Sequence, residues 1–267
     1  MNRSNSIELQ VNLMEPHVVF DARLIADSLE CQIRRVATAE RAATEKRYLK
    51  SDLTFLGAGA GDIRRSVRAA VKDHGAMGHD ELIALVEELW RNPVHERRVA
   101  AVVCLESCDR LLTIKDLDLL ERLIRESKTW ALVDGLAGKV TGAIAWREES
   151  AGRTLDRWSQ DDDFWVRRSA LLALMTTLKK GGDFGRFGRF ADAMVHEKEF
   201  FIRKAIGWVL REASKSRPDE VFGWLAPRTG RVSGVTIREA VKYLRPEQRD
   251  VLMAAYRQHR PAETRPF

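Results

Sequence analysis

Trp130 and Asp134 lie four residues apart, Trp165 and Arg168 three, and Trp208 and Arg211 three. On a helix, the two members of each pair share a face. These residue types suit a charged or phosphorylated target. A guanidinium offers paired donors to phosphate oxygens. An indole face packs on sugars and attracts cations. A carboxylate beside such a cation stabilises positive charge that develops in a transition state. Packing competes with each of these roles. Trp165 follows Phe164 at a helix start, where packing between repeats is the favoured reading. Trp208 sits in the apolar run FFIRKAIGWVLRE, and Asp134 has the alternative of a plain ion pair with Arg168. Spacing alone selects no reaction.

A repeat must position these side chains. Six segments share an apolar or aromatic residue, then basic residues, then a small-rich apolar run. They are DIRRSVRAAV from Asp62, HERRVAAVVC from His95, WALVDGLAGK from Trp130, WVRRSALLAL from Trp165, FIRKAIGWVL from Phe201 and TIREAVKYLR from Thr236. Their starts are 33, 35, 35, 36 and 35 residues apart. A period near 35 predicts a solenoid of helix pairs, in which neither helix buries its apolar face alone. HDELIALVEELW from His79, LDLLERLIRES from Leu117, FGRFADAMVH and the stretch from Pro218 to Trp224 supply partner helices. Three residues into the repeats stand Arg65, Arg98, Val133, Arg168, Lys204 and Glu239, a mostly basic register. One position later, Asp134 is the single carboxylate among Ser66, Val99, Ser169, Ala205 and Ala240.

The expected architecture is all-α, one HEAT-like helical-repeat solenoid (an α-α superhelix) over residues 1–267 with a concave cleft. Residues 1–45 hold N-terminal helices, with Leu24, Ile25, Leu29 and Ile33 at helical spacing, and 260–267 form a short polar tail. Gly57, Gly59 and Gly61 mark a turn, with Asp62 placed to cap the helix that follows. Gly181 and Gly182 read as an inter-helix loop, and no strand-like alternation is found.

Composition narrows the class. With 267 residues, 45% of them hydrophobic and seven tryptophans, the chain is globular. Lys and Arg total 45 against 39 acids, a net charge of +6, which suggests a positive face and a nucleic-acid partner. Cys31, Cys104 and Cys108 cannot build a disulfide framework, so a reducing, cytoplasmic setting is expected. The expected role of Cys104 and Cys108 is structural packing. No secretory signal or membrane-length apolar run is read. The six histidines are scattered, with His74 and His79 expected at the surface, and no metal or cofactor is expected. GAGAGD follows no convincing strand, which argues against a dinucleotide site.

The motifs KRYLKSDLTFLG at 46–57, SKTWALVDG at 127–135, DDDFWVRRSALL at 161–172 and EFFIRKAIGWVLRE at 199–212 occur in this order. On them, the chain from about Lys46 to about Pro246 resembles the AlkD-type DNA alkylation-repair glycosylases, a HEAT-like helical-repeat family. The resemblance implies that Trp130, Asp134 and Arg168 form the catalytic group, with Asp134 steadying a sugar cation. It further implies that Tyr48 and Trp208 line the cleft, that Arg211 grips the DNA backbone, and that Arg168 with it holds phosphates and keeps the lesion in register. Lys204 and Arg98 join the DNA-binding set through the basic register. The implied activity is hydrolytic excision of cationic N-alkylpurines, such as 3-methyladenine and 7-methylguanine or bulkier adducts, from duplex DNA by a monomer without lyase activity. The lesion is expected to be read through its backbone while still stacked. AlaGlyAlaGly at 58–61 departs from the Thr-Pro type of pair found in relatives, which bears on a local backbone contact and not on the chemistry. Two other functions stay open: a non-catalytic relative that binds distorted or branched DNA, and a helical scaffold for another protein. An arginine row around one carboxylate is the expectation that separates the first two from the third.

Overall fold

The computed structural model describes residues 20–259 except 74 and 76. The expectations for residues 1–19, for His74 and for the tail at 260–267 lie outside these residues. Helices account for the regular structure among the described residues, and one isolated bridge joins Thr54 to Val94. No described helix is long and apolar enough to cross a membrane.

Burial separates two rows of helices. α4 (His79–Arg91) and α6 (Leu117–Ser127) each bury one stripe, as in Leu117, Leu120, Leu123 and Ile124 of α6. That pattern belongs to a helix with one covered face. α5 (His95–Ser107) and α10 (Phe164–Lys179) are buried nearly all round, and α12 (Phe200–Ser214) buries a broad stripe that leaves Lys204, Trp208 and Arg211 part-exposed; α5 has an unbroken buried run from Ala100 to Leu105. They form an inner row with α3 (Ala60–Asp73), with α7 (Trp130–Gly135) and its continuation α8 (Gly142–Arg147), and with α14 (Gly234–Ala240). Along this row α3 packs on α5, α5 on α7, α8 on α10, α10 on α12 and α12 on α14. The outer row adds α9 (Ala151–Trp158), α11 (Phe184–Met194), α13 (Pro218–Leu225) and α15 (Pro246–His259). The helical-repeat solenoid read from the period is the observed fold.

Polar contacts between repeats carry the same period. Arg122 reaches Glu87 35 residues away, Arg125 reaches Asp161 36 away, Arg228 reaches Asp192 36 away and Lys204 reaches Glu239 35 away. Each repeat thus presents its charges to the next in nearly the same register. Glu121 gathers Arg125, Arg157 and the Trp158 indole, and despite its partial burial these donors hold its carboxyl down to about 2. Its contribution to stability is present above its ordinary pKa and is lost as pH falls towards 2.

The fold differs from expectation in three places, two of them near the N-terminus. Ile25, Leu29 and Ile33 of α1 (Ala22–Arg35) are buried together with Ala26, whereas Leu24 points outward at 68% exposure. The helical stripe therefore runs through 25, 29 and 33. α3 begins at Ala60, so Asp62 lies in its first turn and does not cap it; the Gly59 carbonyl accepts the N–H groups of Asp62 and Ile63 instead. α9 is a partner helix that the repeat pattern had not supplied.

α2 (Ala39–Leu49) buries no residue and is held by the loop that follows it. The fully buried Glu96 carboxylate accepts the backbone N–H groups of Leu56, Gly57 and Ala58, at 2.9, 2.6 and 3.3 Å. Gly57, at φ +94°, then turns its carbonyl to the N–H of Thr38, the N-cap of α2. A β-carbon at Gly57 would lie 2.0 Å from the Thr38 carbonyl oxygen. Gly57→Ala is therefore expected to cost about 1–3 kcal/mol, as residues forced into sparse backbone regions do, and to unseat α2. Urea denaturation reads the loss, and a change under 0.5 kcal/mol, about the size of an ordinary surface substitution, would contradict this account.

Candidate active site

Asp134 stands at the end of α7, directly before a π-helical segment, Leu136–Thr141, that joins α7 to α8. The Thr141 hydroxyl donates to the Leu136 carbonyl five residues back, at 3.0 Å. Wide turns of this kind shift the helix register and are frequent at functional sites. Nε and Nη2 of Arg168, from α10, donate to the two oxygens of Asp134, each at 2.9 Å. Nη1 of the same arginine donates to the Phe201 carbonyl at 2.5 Å, and its guanidinium lies 5.8 Å from the Phe201 ring.

These contacts change one expected role. The Arg168 side chain is 3% exposed and turned onto Asp134, so it orients the carboxylate and does not project as a phosphate-gripping cation. Asp134 keeps 17% of its side chain exposed. A carboxylate has about four acceptor sites, and Arg168 uses two of them, so acceptor capacity remains for a water or ligand. Burial raises the Asp134 carboxyl above its ordinary pKa, and Arg168 offsets this only in part. A reaction that needs the carboxylate should therefore lose rate on the acid side at a pH above 3.8, the usual aspartate value. A pH–rate profile of single-turnover base release tests this; an acid limb at or below the free-aspartate value would contradict it.

Asp134 borders a hollow of about 380 Å³ with Tyr48, Trp130, Arg168, Phe200, Phe201, Lys204, Trp208 and Arg211. Tyr48, in the last turn of α2, meets Trp130 edge to face, with centroids 5.9 Å apart and planes at 89°. The structure thus brings together every residue placed in the site from sequence except Arg98. That arginine packs 4.8 Å over the Trp90 ring, donates to the Glu126 carbonyl and lines a separate depression with Arg122 and Glu126. It therefore meets the outer row, where α4 supplies Trp90 and α6 supplies Glu126. Trp165 is buried, with Phe164 and Phe201 centroids at 4.5 and 4.8 Å, and supports the hollow from behind. Phe200 and Phe201 are lining residues that the sequence reading passed over, although both stand in the quoted FFIRKAIGWVLRE run.

The hollow adjoins a larger channel of about 1010 Å³, sharing Asp134, Trp208 and Arg211 with it. Arg64, Arg68, Lys139 and Lys179 bring positive charge to the channel, and Glu106, Asp109 and Glu212 bring negative charge. The expected arginine row around one carboxylate is therefore incorrect in its second half. Glu106 and Glu212 lie far along their helices, beyond the two repeat positions compared in sequence. Both are matched: Glu106 by Arg64 at 2.6 Å and Lys139 at 3.2 Å, Glu212 by Lys215 at 2.9 Å and Lys179 at 3.3 Å. His79, expected at the surface, is partly exposed and bonded to Asp80 and Asp116. Cys104 is buried, which pushes its thiol up to about 12, in keeping with packing.

Fold and site together define a helical-repeat protein with a carboxylate set among aromatic rings at the edge of a channel rich in Arg and Lys. Residues 29–244 match the family described as DNA alkylation repair enzyme, and the chain belongs to that family. The match begins within α1, ahead of residue 46, where the motif resemblance starts. A solved structure titled a predicted DNA alkylation repair enzyme from Enterococcus faecalis shares the fold, with a TM-score of 0.71 and 23% identity; the alignment covers 79% of this chain and 97% of that one. No curated protein matches the chain significantly in sequence.

Proposed function

We propose that the protein is a DNA glycosylase that hydrolyses the N-glycosidic bond of cationic N-alkylpurines, 3-methyladenine and 7-methylguanine among them, in duplex DNA. The observation that carries this reading is the Asp134 carboxylate, held by Arg168 and open to a hollow walled by Trp130 and Trp208. A cationic purine leaves with the glycosidic electron pair and becomes neutral, so it needs no general acid. Positive charge accumulates instead on the deoxyribose, where a fixed carboxylate and aromatic faces stabilise it. Water then adds to C1′ and releases its proton to solvent, with Asp134 orienting it through a remaining acceptor site. Arg211 and Lys204 hold phosphates beside the lesion, and the open hollow suits recognition from the backbone side with the base still stacked.

The test is release of 7-methylguanine from methylated duplex DNA, with analysis of the remaining strand. The expected product is free base and an intact abasic site. Lys204, the amine that lines the hollow, is ion-paired with Glu239 at 2.6 Å. Borohydride trapping of a protein–DNA adduct would rule out the hydrolytic assignment. Duplex binding without base release would favour the non-catalytic relative. Affinity should fall steeply with salt, since Arg211 and the channel cations displace counterions from phosphates.

A further inference from the structure

Arg211 and Lys204 both border the hollow, yet neither is held by it. Lys204, Trp208 and Arg211 lie on one face of α12, with Trp208 between the two cations. Two long cations on one face repel each other and sample many rotamers. Glu239, from α14, sits behind them. Its carboxylate accepts from Lys204 Nζ and Arg211 Nη1, each at 2.6 Å, and from Lys242 Nζ at 2.8 Å. Its side chain is only 10% exposed. α14 reaches this position because α12 has Gly207 at the crossing: a β-carbon there would lie 2.8 Å from both the Glu239 β-carbon and the Thr236 carbonyl. Despite burial, the surrounding cations hold the Glu239 carboxyl down to about 2, so it is ionised through the physiological range.

Taking the glycosylase reading as its basis, we propose that Glu239 is a positioning residue: it fixes Lys204 and Arg211 beside the lesion nucleotide while withholding part of their charge from undamaged duplex. The two effects pull duplex affinity and excision rate in opposite directions, which a merely structural role does not do. Both cations remain in Glu239→Gln, but the carboxylate they share is gone, and Arg211 keeps only its longer contact to Glu212, at 3.4 Å. Two quantities are to be measured on the full chain: affinity for undamaged duplex across a salt series, and single-turnover release of 7-methylguanine at saturating protein. The expected result is duplex affinity that is unchanged or up to about threefold tighter, a log–log salt slope steeper by about one as one more cation meets phosphate, and release slowed about tenfold. Lys242→Gln removes a partner that lies outside the hollow and should leave both readouts within twofold. Parallel loss of affinity, rate and melting temperature in Glu239→Gln would make the residue structural and overturn the proposal. An unchanged slope together with an unchanged rate would overturn it as well. If the wild-type protein binds duplex but frees no purine, the glycosylase reading fails separately, and the salt slope still reports on Glu239.

Discussion

Asp134→Asn is expected to reduce single-turnover release of 7-methylguanine by about a thousandfold while leaving duplex affinity within about threefold. The size follows from the charge. A carboxylate about 4 Å from a developing sugar cation contributes about 4 kcal/mol at an effective dielectric near 20. Each 1.36 kcal/mol corresponds to about tenfold in rate, which gives roughly three decades. Affinity is spared because the carboxylate repels phosphate and contributes nothing to gripping it. The substitution also deprives Arg168, at 3% exposure, of its counterion, so activity must be assayed well below the melting temperature of the variant. The asparagine carbonyl can still accept one of the two N–H groups that Arg168 directs at this position. Release at the wild-type rate from folded protein would remove Asp134 from the chemistry.

Arg168→Met should have the second largest effect, and it should show in two properties at once. Methionine fills much of the same space, but it leaves the half-buried Asp134 carboxylate without its two donors and takes one donor from the Phe201 carbonyl. Removing one member of a buried pair costs about 3–5 kcal/mol. Here the lower end is expected, because Asp134 keeps 17% exposure and can also take up a proton. Without Arg168, only burial acts on the carboxyl, so its pKa should climb further above the ordinary value. The acid limb of the pH–rate profile should therefore move to higher pH, and rate at neutral pH should fall. The sign for stability is the reverse of that for Glu121: a carboxyl with a raised pKa weakens the fold above that pKa and ceases to do so as pH falls through it. In the double variant with Asp134→Asn the two losses should not add, because the unpaired carboxylate no longer exists. A urea titration and a pH profile on the same protein decide the matter. An unmoved acid limb in Arg168→Met would mean that the arginine does not govern the charge state of Asp134.

Part of the site was legible before any coordinates. The W-x-x-x-D pair at Trp130 and Asp134 and the run holding Trp208 and Arg211 are local patterns, and helical spacing suffices to put each pair on one face. Arg98 shows the limit of that method. It holds the same repeat position as Arg168, yet it packs on Trp90 in a separate depression. A residue's phase within a repeat does not state which neighbour its long side chain will meet. Glu239 shows the complementary limit. It stood in the basic register as an oddity, and only the crossing of α14 over Gly207 places it behind Lys204 and Arg211.

By itself the amino-acid order determined the all-helical repeat, its period near 35 and the residue types available to the site, because apolar periodicity and capping are properties of neighbours along the chain. Tertiary structure alone decided that Arg168 serves Asp134, that Trp165 supports while Trp130 and Trp208 face the hollow, and that α2 presents Tyr48. These outcomes depend on contacts between repeats, where a side chain's partner is set by how helices cross and by which groups burial leaves in need of a hydrogen bond.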